Sequence, residues 1–189
     1  GLTIFVDKKN DNGTYSNILI RDDGKILTQV SNESSTIFAK AGYVSEDEKN
    51  LIKGQLQLFK DCQEISAQLN CDPASLVFGG RSMGGRVCSM AVAQGMSAAG
   101  LILLSYPLHP PNKADHLRVD HFGAIDVPCL FVSGDNDPFG SPTEFEQHLG
   151  CINGDVAAKF LEGGRHDPSN RSQTRNIVET VNAWLVGLP

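Results

Sequence analysis

Leu76 to Gly85 reads LVFGGRSMGG, and this stretch decides the fold. A short apolar run, Leu76-Val77-Phe78, ends in two glycines. It leads into Gly80-Arg81-Ser82-Met83-Gly84, a G-x-S-x-G pentapeptide, and a helix-compatible segment from Arg86 to Gln94 follows at once. Strand, sharp turn and helix are the setting of a nucleophile elbow. The serine there holds a strained backbone, and its neighbours must be nearly free of side chain so that strand and helix can approach. Its hydroxyl then projects at a helix N-terminus, where backbone N–H groups favour developing negative charge. The bare pentapeptide is a weak signal; the strand before it and the helix after it give it weight.

A nucleophilic serine needs a base and an acid, and both candidates lie downstream. Pro128 to Gly140 reads PCLFVSGDNDPFG, an apolar strand from Cys129 to Val132 running into an acidic turn. Ala157 to Gly164 reads AAKFLEGG, a second strand, followed by Arg165-His166-Asp167. Acid and histidine each sit beyond the C-terminal end of an expected strand, the edge at which open α/β sheets build their sites. The chain order Ser82, Asp137, His166 is that of the α/β-hydrolases and not of the chymotrypsin or subtilisin types. Asp137 stands three residues after Gly134; Asp135 stands one residue after it and suits a turn cap.

Four blocks also resemble a known family: GGRSMGGR (Gly79 to Arg86), LILLSYPLHPP (Leu101 to Pro111), PCLFVSGDNDPFG and EGGRHD (Glu162 to Asp167). In this order they are similar to the KANL3/Tex30-type α/β-hydrolase-like family, itself distantly similar to dienelactone hydrolases. The likeness covers roughly residues 72 to 187. It implies a hydrolase fold, with Ser82, Asp137 and His166 as the triad and the Met83 N–H as one oxyanion donor. The position of Asp137 after Gly134 matches the family's acid. The family also places a His-Gly loop after the strand beside the elbow, supplying the second oxyanion donor; this chain has none there.

Bulk properties fit one domain over residues 1–189. With 189 residues, 40% apolar and 20% charged, the chain can bury a core of its own. A formal net charge of −6 argues against a nucleic-acid backbone or an anionic membrane as partner. No apolar run approaches a membrane span, and no basic-plus-apolar leader opens the sequence. The five cysteines are scattered without a C-x-x-C pair, as in a cytoplasmic protein with reduced thiols. No His/Asp/Glu cluster has metal-ligand spacing, so no metal or cofactor is expected.

The C-terminal two-thirds alternates strand and helix, which predicts a mostly parallel sheet with helices on both faces. A long helix is expected from Glu46 to Asn70, with Ser45 and Glu48 as its capping box and Ile52, Leu56, Phe59, Cys62, Ile65 and Leu69 on one face. Further helices are expected over Ser141–Leu149 and Ser169–Val186, the last with Ile177, Val181, Trp184 and Leu185 inward. Residues 1–44 read instead as short strands, with turns at Lys9–Gly13 and Asp22–Gly24 and a fourth strand at Thr36–Ala39. No crossover helix fits between Lys25 and Ser45. The strand Asn17–Ile20 is taken as the elbow's neighbour, which would bring Asp22–Lys25 close to Ser82.

The chemistry that follows is acyl transfer from small soluble esters or thioesters, since the connection from Pro107 to Val127 is too short for a large lid. Arg81 either contacts an acidic substrate group or pairs with a local carboxylate. His109, in a proline-rich loop, either lines the pocket or stiffens the loop. His116, His121 and His148 are expected to face solvent. The competing reading is a hydrolase-fold interaction domain whose oxyanion loop has eroded.

Overall fold

A computed structural model describes residues 2–9, 15–22, 25–30 and 48–188. Among the described residues seven strands form one sheet: β1 (Leu2–Lys9), β2 (Tyr15–Asp22), β3 (Lys25–Val30), β4 (Leu76–Arg81), β5 (Gly100–Leu104), β6 (Cys129–Gly134) and β7 (Val156–Leu161), ordered β3-β2-β1-β4-β5-β6-β7. β1, β4, β5, β6 and β7 pair in parallel, while β2 runs antiparallel to both of its neighbours. Among the described residues four α-helices accompany them: α1 (Glu48–Leu69), α2 (Met83–Ala93), α3 (Pro142–Leu149) and α4 (Arg171–Val186). This is an α/β-hydrolase architecture with a strand-rich N-terminal extension.

The apolar strands β4, β5 and β6 are buried on both faces because their successive side chains alternate. Leu76, Phe78, Leu101, Leu103, Cys129 and Phe131 point to the side covered by α1, α2 and Phe145 of α3. Val77, Ile102, Leu104, Leu130 and Val132 point the other way, against Val181, Ile177, Trp184 and Leu185 of α4. Fully burying each Leu, Ile or Val contributes about 1.5–3 kcal/mol relative to exposure. The expected inner face of α4 is therefore the observed one. Gly100 lets Trp184 close on the sheet, since a Cβ there would lie 2.9 Å from the indole.

Among the described side chains of α1 the buried ones are Gln55, Leu58, Asp61, Cys62 and Ser66, with Phe59 and Ile65 flanking. The apolar spacing placed the stripe on Ile52, Leu56, Phe59, Cys62, Ile65 and Leu69; the Ile52 and Leu56 side chains lie outside the described ones, and Leu69 is 37% exposed. α1 packs on α2, and Leu58 and Cys62 share one buried apolar cluster with Val87, Cys88, Ala91 and Val92 of α2. Ser45 and the Thr36–Ala39 segment lie outside the described residues.

The N-terminal register corrects one expectation. β1, not β2, lies beside the elbow strand, pairing Leu2 with Leu76 and Ile4 with Phe78. Asp22 pairs with Leu2, and Lys25 with Asp22. The Asp22–Lys25 end is therefore level with the start of β4, six residues and about 20 Å short of Ser82 at ~3.3 Å per residue. Asp23 and Gly24 themselves lie outside the described residues. The physical reason is connection length. Short links between β1, β2 and β3 permit only antiparallel pairing, whereas a parallel neighbour needs a dozen or more residues of crossover. It is β1 that aligns with β4, and the C-terminal end of β1 reaches toward the elbow's edge.

Candidate active site

β4 delivers Ser82 to the C-terminal edge, and α2 begins one residue later. Ser82 has φ 52° and ψ −120°, a conformation L-residues rarely hold. Two contacts impose it. The Ser82 N–H donates to the Leu104 carbonyl of β5 at 2.8 Å, and its own carbonyl accepts the Arg86 N–H at 3.2 Å. The glycine pattern has a steric basis at Gly80, the first residue of the pentapeptide, and at Gly85 just beyond it, but not at Gly84. A Cβ on Gly80 would overlap the Gly84 and Gly85 backbone, and one on Gly85 would stand 2.8 Å from the Gly80 oxygen. Gly84 meets nothing within 4 Å.

β6 ends at Gly134, where the chain turns: the Asp137 N–H donates to the Gly134 carbonyl, and the Gly140 N–H to the Asp137 carbonyl. The loop after β7 is stitched to this turn. The Asp135 N–H donates to Leu161 at 3.1 Å and the Asn136 N–H to Gly164 at 2.8 Å. Gly134 and Gly164 cross in backbone contact, with 2.9 Å between a Gly164 Cβ and the Gly134 Cα. No side chain fits there, so Gly164 and Gly134 together fix the separation of His166 and Asp137.

Across these loops runs a chain of three side chains. His166 Nε2 lies 2.8 Å from Ser82 Oγ. His166 Nδ1 lies 2.8 Å from Asp137 Oδ2 and 3.1 Å from Oδ1. A carboxylate only accepts, so Nδ1 carries the proton and Nε2 is free to accept from the serine hydroxyl. The Asp137 side chain is 1% exposed, and the Phe139 N–H donates to its Oδ1 at 2.9 Å. Asp135 instead takes a hydrogen bond from the Asn136 side chain. The Phe139 ring faces the imidazole, centroids 4.2 Å apart and 35° between planes. Sequence reasoning passed over Phe139; its place two residues after the acid was the only available signal.

The sequence matches the family model described as an alpha/beta hydrolase domain over residues 42–183. The chain belongs to that family. Among solved structures, this hydrolase domain is similar to the Bacillus cereus carboxylesterase, with 21% identity and TM-score 0.53, covering 73% of this chain and 61% of that one. It is similar to Arabidopsis thaliana SOBER1, with 16% identity and TM-score 0.52, covering 74% and 64%. The monoacylglycerol lipase of Paleococcus ferrophilus gives 12% identity and TM-score 0.57, covering 71% and 76%. These likenesses concern the fold. The chain spans about six-tenths of the length of the carboxylesterase it matches.

Other expected site residues of the hydrolase domain have mixed placements. Met83 is the first residue of α2, and among the described residues nothing accepts its N–H, as helix geometry dictates for a first-turn donor. Arg81 forms an ion pair with Asp167, and its Nη2 donates to the His166 carbonyl at 3.2 Å. Of the two readings for Arg81, the local carboxylate is the one observed. His109 is 6% exposed and offers little surface to a substrate. Its Nδ1 donates to the Pro110 carbonyl, so the ring stiffens its own proline-rich loop, while its Nε2 faces Glu144 Oε1 at 3.2 Å without a hydrogen bond. Ser141 caps α3 through a reciprocal capping box with Glu144, and those hydrogen bonds hold the Glu144 carboxyl below its usual range, with a smaller contribution from His109.

His116 is exposed as expected, and His121 is not. His121 Nε2 lies 2.8 Å from the fully buried Ser89 Oγ on α2, and that hydroxyl donates to the Arg86 carbonyl. The ring therefore donates from Nε2. Burial, and secondarily the Arg86 charge, lowers its pKa to about 4. The 107–127 connection thus packs on the elbow helix rather than forming a lid. Among the described residues no cluster of His, Cys, Asp or Glu could hold a metal ion, and no helix is long and apolar enough to cross a membrane.

Proposed function

We propose that this chain is a serine hydrolase of carboxylesterase or thioesterase type acting on small soluble acyl substrates. The observation that carries the reading is the continuous hydrogen-bonded line Ser82 Oγ, His166, Asp137, with both links at 2.8 Å. Such links fall within the ~2.6–3.2 Å reach that proton transfer requires. Within the family, the four sequence blocks support a likeness to the KANL3/Tex30-type, dienelactone-hydrolase-related group.

The mechanism follows from the donor–acceptor order. Ser82 Oγ attacks the acyl carbon while its proton passes to His166 Nε2. Asp137 holds the Nδ1 proton and stabilises the imidazolium. The tetrahedral oxyanion takes the Met83 N–H at the start of α2. The leaving alkoxide or thiolate departs with the proton from Nε2. A water then gives a proton back to Nε2 as its oxygen attacks the acyl-serine, and Ser82 leaves reprotonated. Arg81 and His109 act here as supports of the two loops. No metal or cofactor enters any step. The five free cysteines fit a cytoplasmic protein, and the net charge of −6 fits a small-molecule rather than a nucleic-acid partner.

One observation favours a second reading, a weak or inactive hydrolase-fold interaction domain: the sequence has no His-Gly to give a second oxyanion donor beside Met83. Loss of one such donor typically costs ~100- to 1,000-fold in turnover. Fluorophosphonate labelling together with p-nitrophenyl acetate turnover, wild type against Ser82→Ala, separates the two. Labelling and turnover that both vanish in Ser82→Ala support the hydrolase. Turnover that survives Ser82→Ala, or a wild type that neither labels nor turns over, sinks it.

A further inference from the structure

We propose that Phe139 is a positioning residue for His166, keeping the imidazole in its productive orientation and facing its charge when it is protonated. This rests on the hydrolase reading above. Phe139 makes three separate contacts with the site and its scaffold. Its N–H donates to Asp137 Oδ1 at 2.9 Å. Its carbonyl accepts the His109 N–H at 3.2 Å, which ties the acid turn to the braced proline-rich loop. Its ring lies 4.2 Å from the imidazole at a 35° tilt. The next residue locks the turn further, because Gly140 packs so closely on Leu108 and Phe145 that a Cβ would come within 3.0–3.2 Å of their side chains.

The imidazole has one anchor at each end, Asp137 at Nδ1 and Ser82 at Nε2. Once the serine proton has moved to Nε2 and Oγ is bonded to the acyl carbon, the Ser82 anchor is spent. Only Asp137 and the ring face then hold the imidazolium while it turns its proton toward the leaving group. An aromatic face beside a cation attracts it, and a flat ring at this distance also resists rotation of its neighbour. An aliphatic side chain would fill the space without either property. The backbone contacts of Phe139 do not depend on its side chain, so substitution isolates the ring.

The test is steady-state kinetics on p-nitrophenyl acetate for wild type, Phe139→Leu, Phe139→Tyr, His166→Ala and the double variant Phe139→Leu/His166→Ala. The expected result is a kcat about 3- to 30-fold lower in Phe139→Leu, with KM changed less than about twofold. Phe139→Tyr, which keeps the ring face, should restore kcat to within about twofold of wild type. In the His166→Ala background the leucine change should add less than about twofold, because the partner through which it acts is gone. An equal loss in that background, or a rise in KM at constant kcat, would show that the ring only fills space and would overturn the proposal. Ser82-dependent turnover that is indifferent to Phe139→Leu overturns this inference alone. Absence of any Ser82-dependent turnover in the wild type overturns the hydrolase reading and this inference with it.

Discussion

The Asp137 carboxylate accepts from two different donors, the imidazole Nδ1–H and the Phe139 backbone N–H, and it does so almost wholly shielded from water. An amide at that position could present its NH2 to Nδ1 and favour the wrong tautomer. Asp137→Asn should therefore lower kcat by about 10⁴-fold in an ester assay with little change in melting temperature, while Asp135→Asn, which removes only a local turn contact, should stay within a few-fold of wild type. The reverse ranking would show Asp135 to be the acid. Ser82 yields a second prediction. At φ 52° a non-glycine residue bears backbone strain of ~1–3 kcal/mol. Ser82→Gly should unfold at higher urea than Ser82→Ala, by about 1 kcal/mol, since only glycine adopts this backbone without a Cβ penalty. Equal midpoints would mean that the elbow is relaxed.

At the scale of elements, the site exists because strands and helices touch where no side chain intervenes. β4 meets α2 through Gly80 and Gly85, and β6 meets the loop after β7 through Gly134 and Gly164. Gly84 shares the motif but meets nothing within 4 Å and does not have a positive φ. Gly84→Ala should leave the fold intact and, through better helix propensity, raise stability by up to about 1 kcal/mol. Gly85→Ala, forced against the Gly80 carbonyl, should lower stability by about 1–3 kcal/mol, the usual cost of overpacking. Urea denaturation of the two variants checks this directly; a Gly84→Ala variant less stable than Gly85→Ala would contradict the steric account.

For the whole molecule, the joint between the 107–127 connection and α2 makes stability depend on acidity. His121 is held neutral, its pKa lowered from 6.5 to about 4 by burial and by Arg86. Above pH 6.5 both folded and unfolded states are neutral at this position, and it costs nothing. As pH falls from 6.5 toward 4 the unfolded chain binds a proton that the folded one refuses, so stability declines. Below about 4 the loss levels off, at roughly 3 kcal/mol at most. Facing this ring are the hydroxyl of Ser89 and the charges of Arg86 and Asp120. His121→Gln should therefore show a shallower fall in unfolding free energy between pH 6.5 and 4 than the wild type. Parallel curves would assign the acid sensitivity elsewhere.

The strand–turn–helix around Ser82, the placement of Asp137 and His166 just past strand ends and the alternation of buried strands with helices were legible in the sequence. Each is a local property: a glycine-flanked serine between apolar periods, an acid and a histidine just past strand ends, and side chains alternating with a period of two. The inner face of α4 was legible for the same reason. Pairing was not. That β1 rather than β2 lies beside β4, that α1 buries Leu58, that His121 points inward to Ser89 and that Arg81 takes Asp167 all depend on which surfaces meet in space. The same holds for Phe139, whose ring meets a histidine 27 positions away along the chain. Periodicity and turn chemistry act over a few residues and are written in the chain, whereas register and side-chain partnership are chosen by competition among surfaces that only the folded sheet brings together.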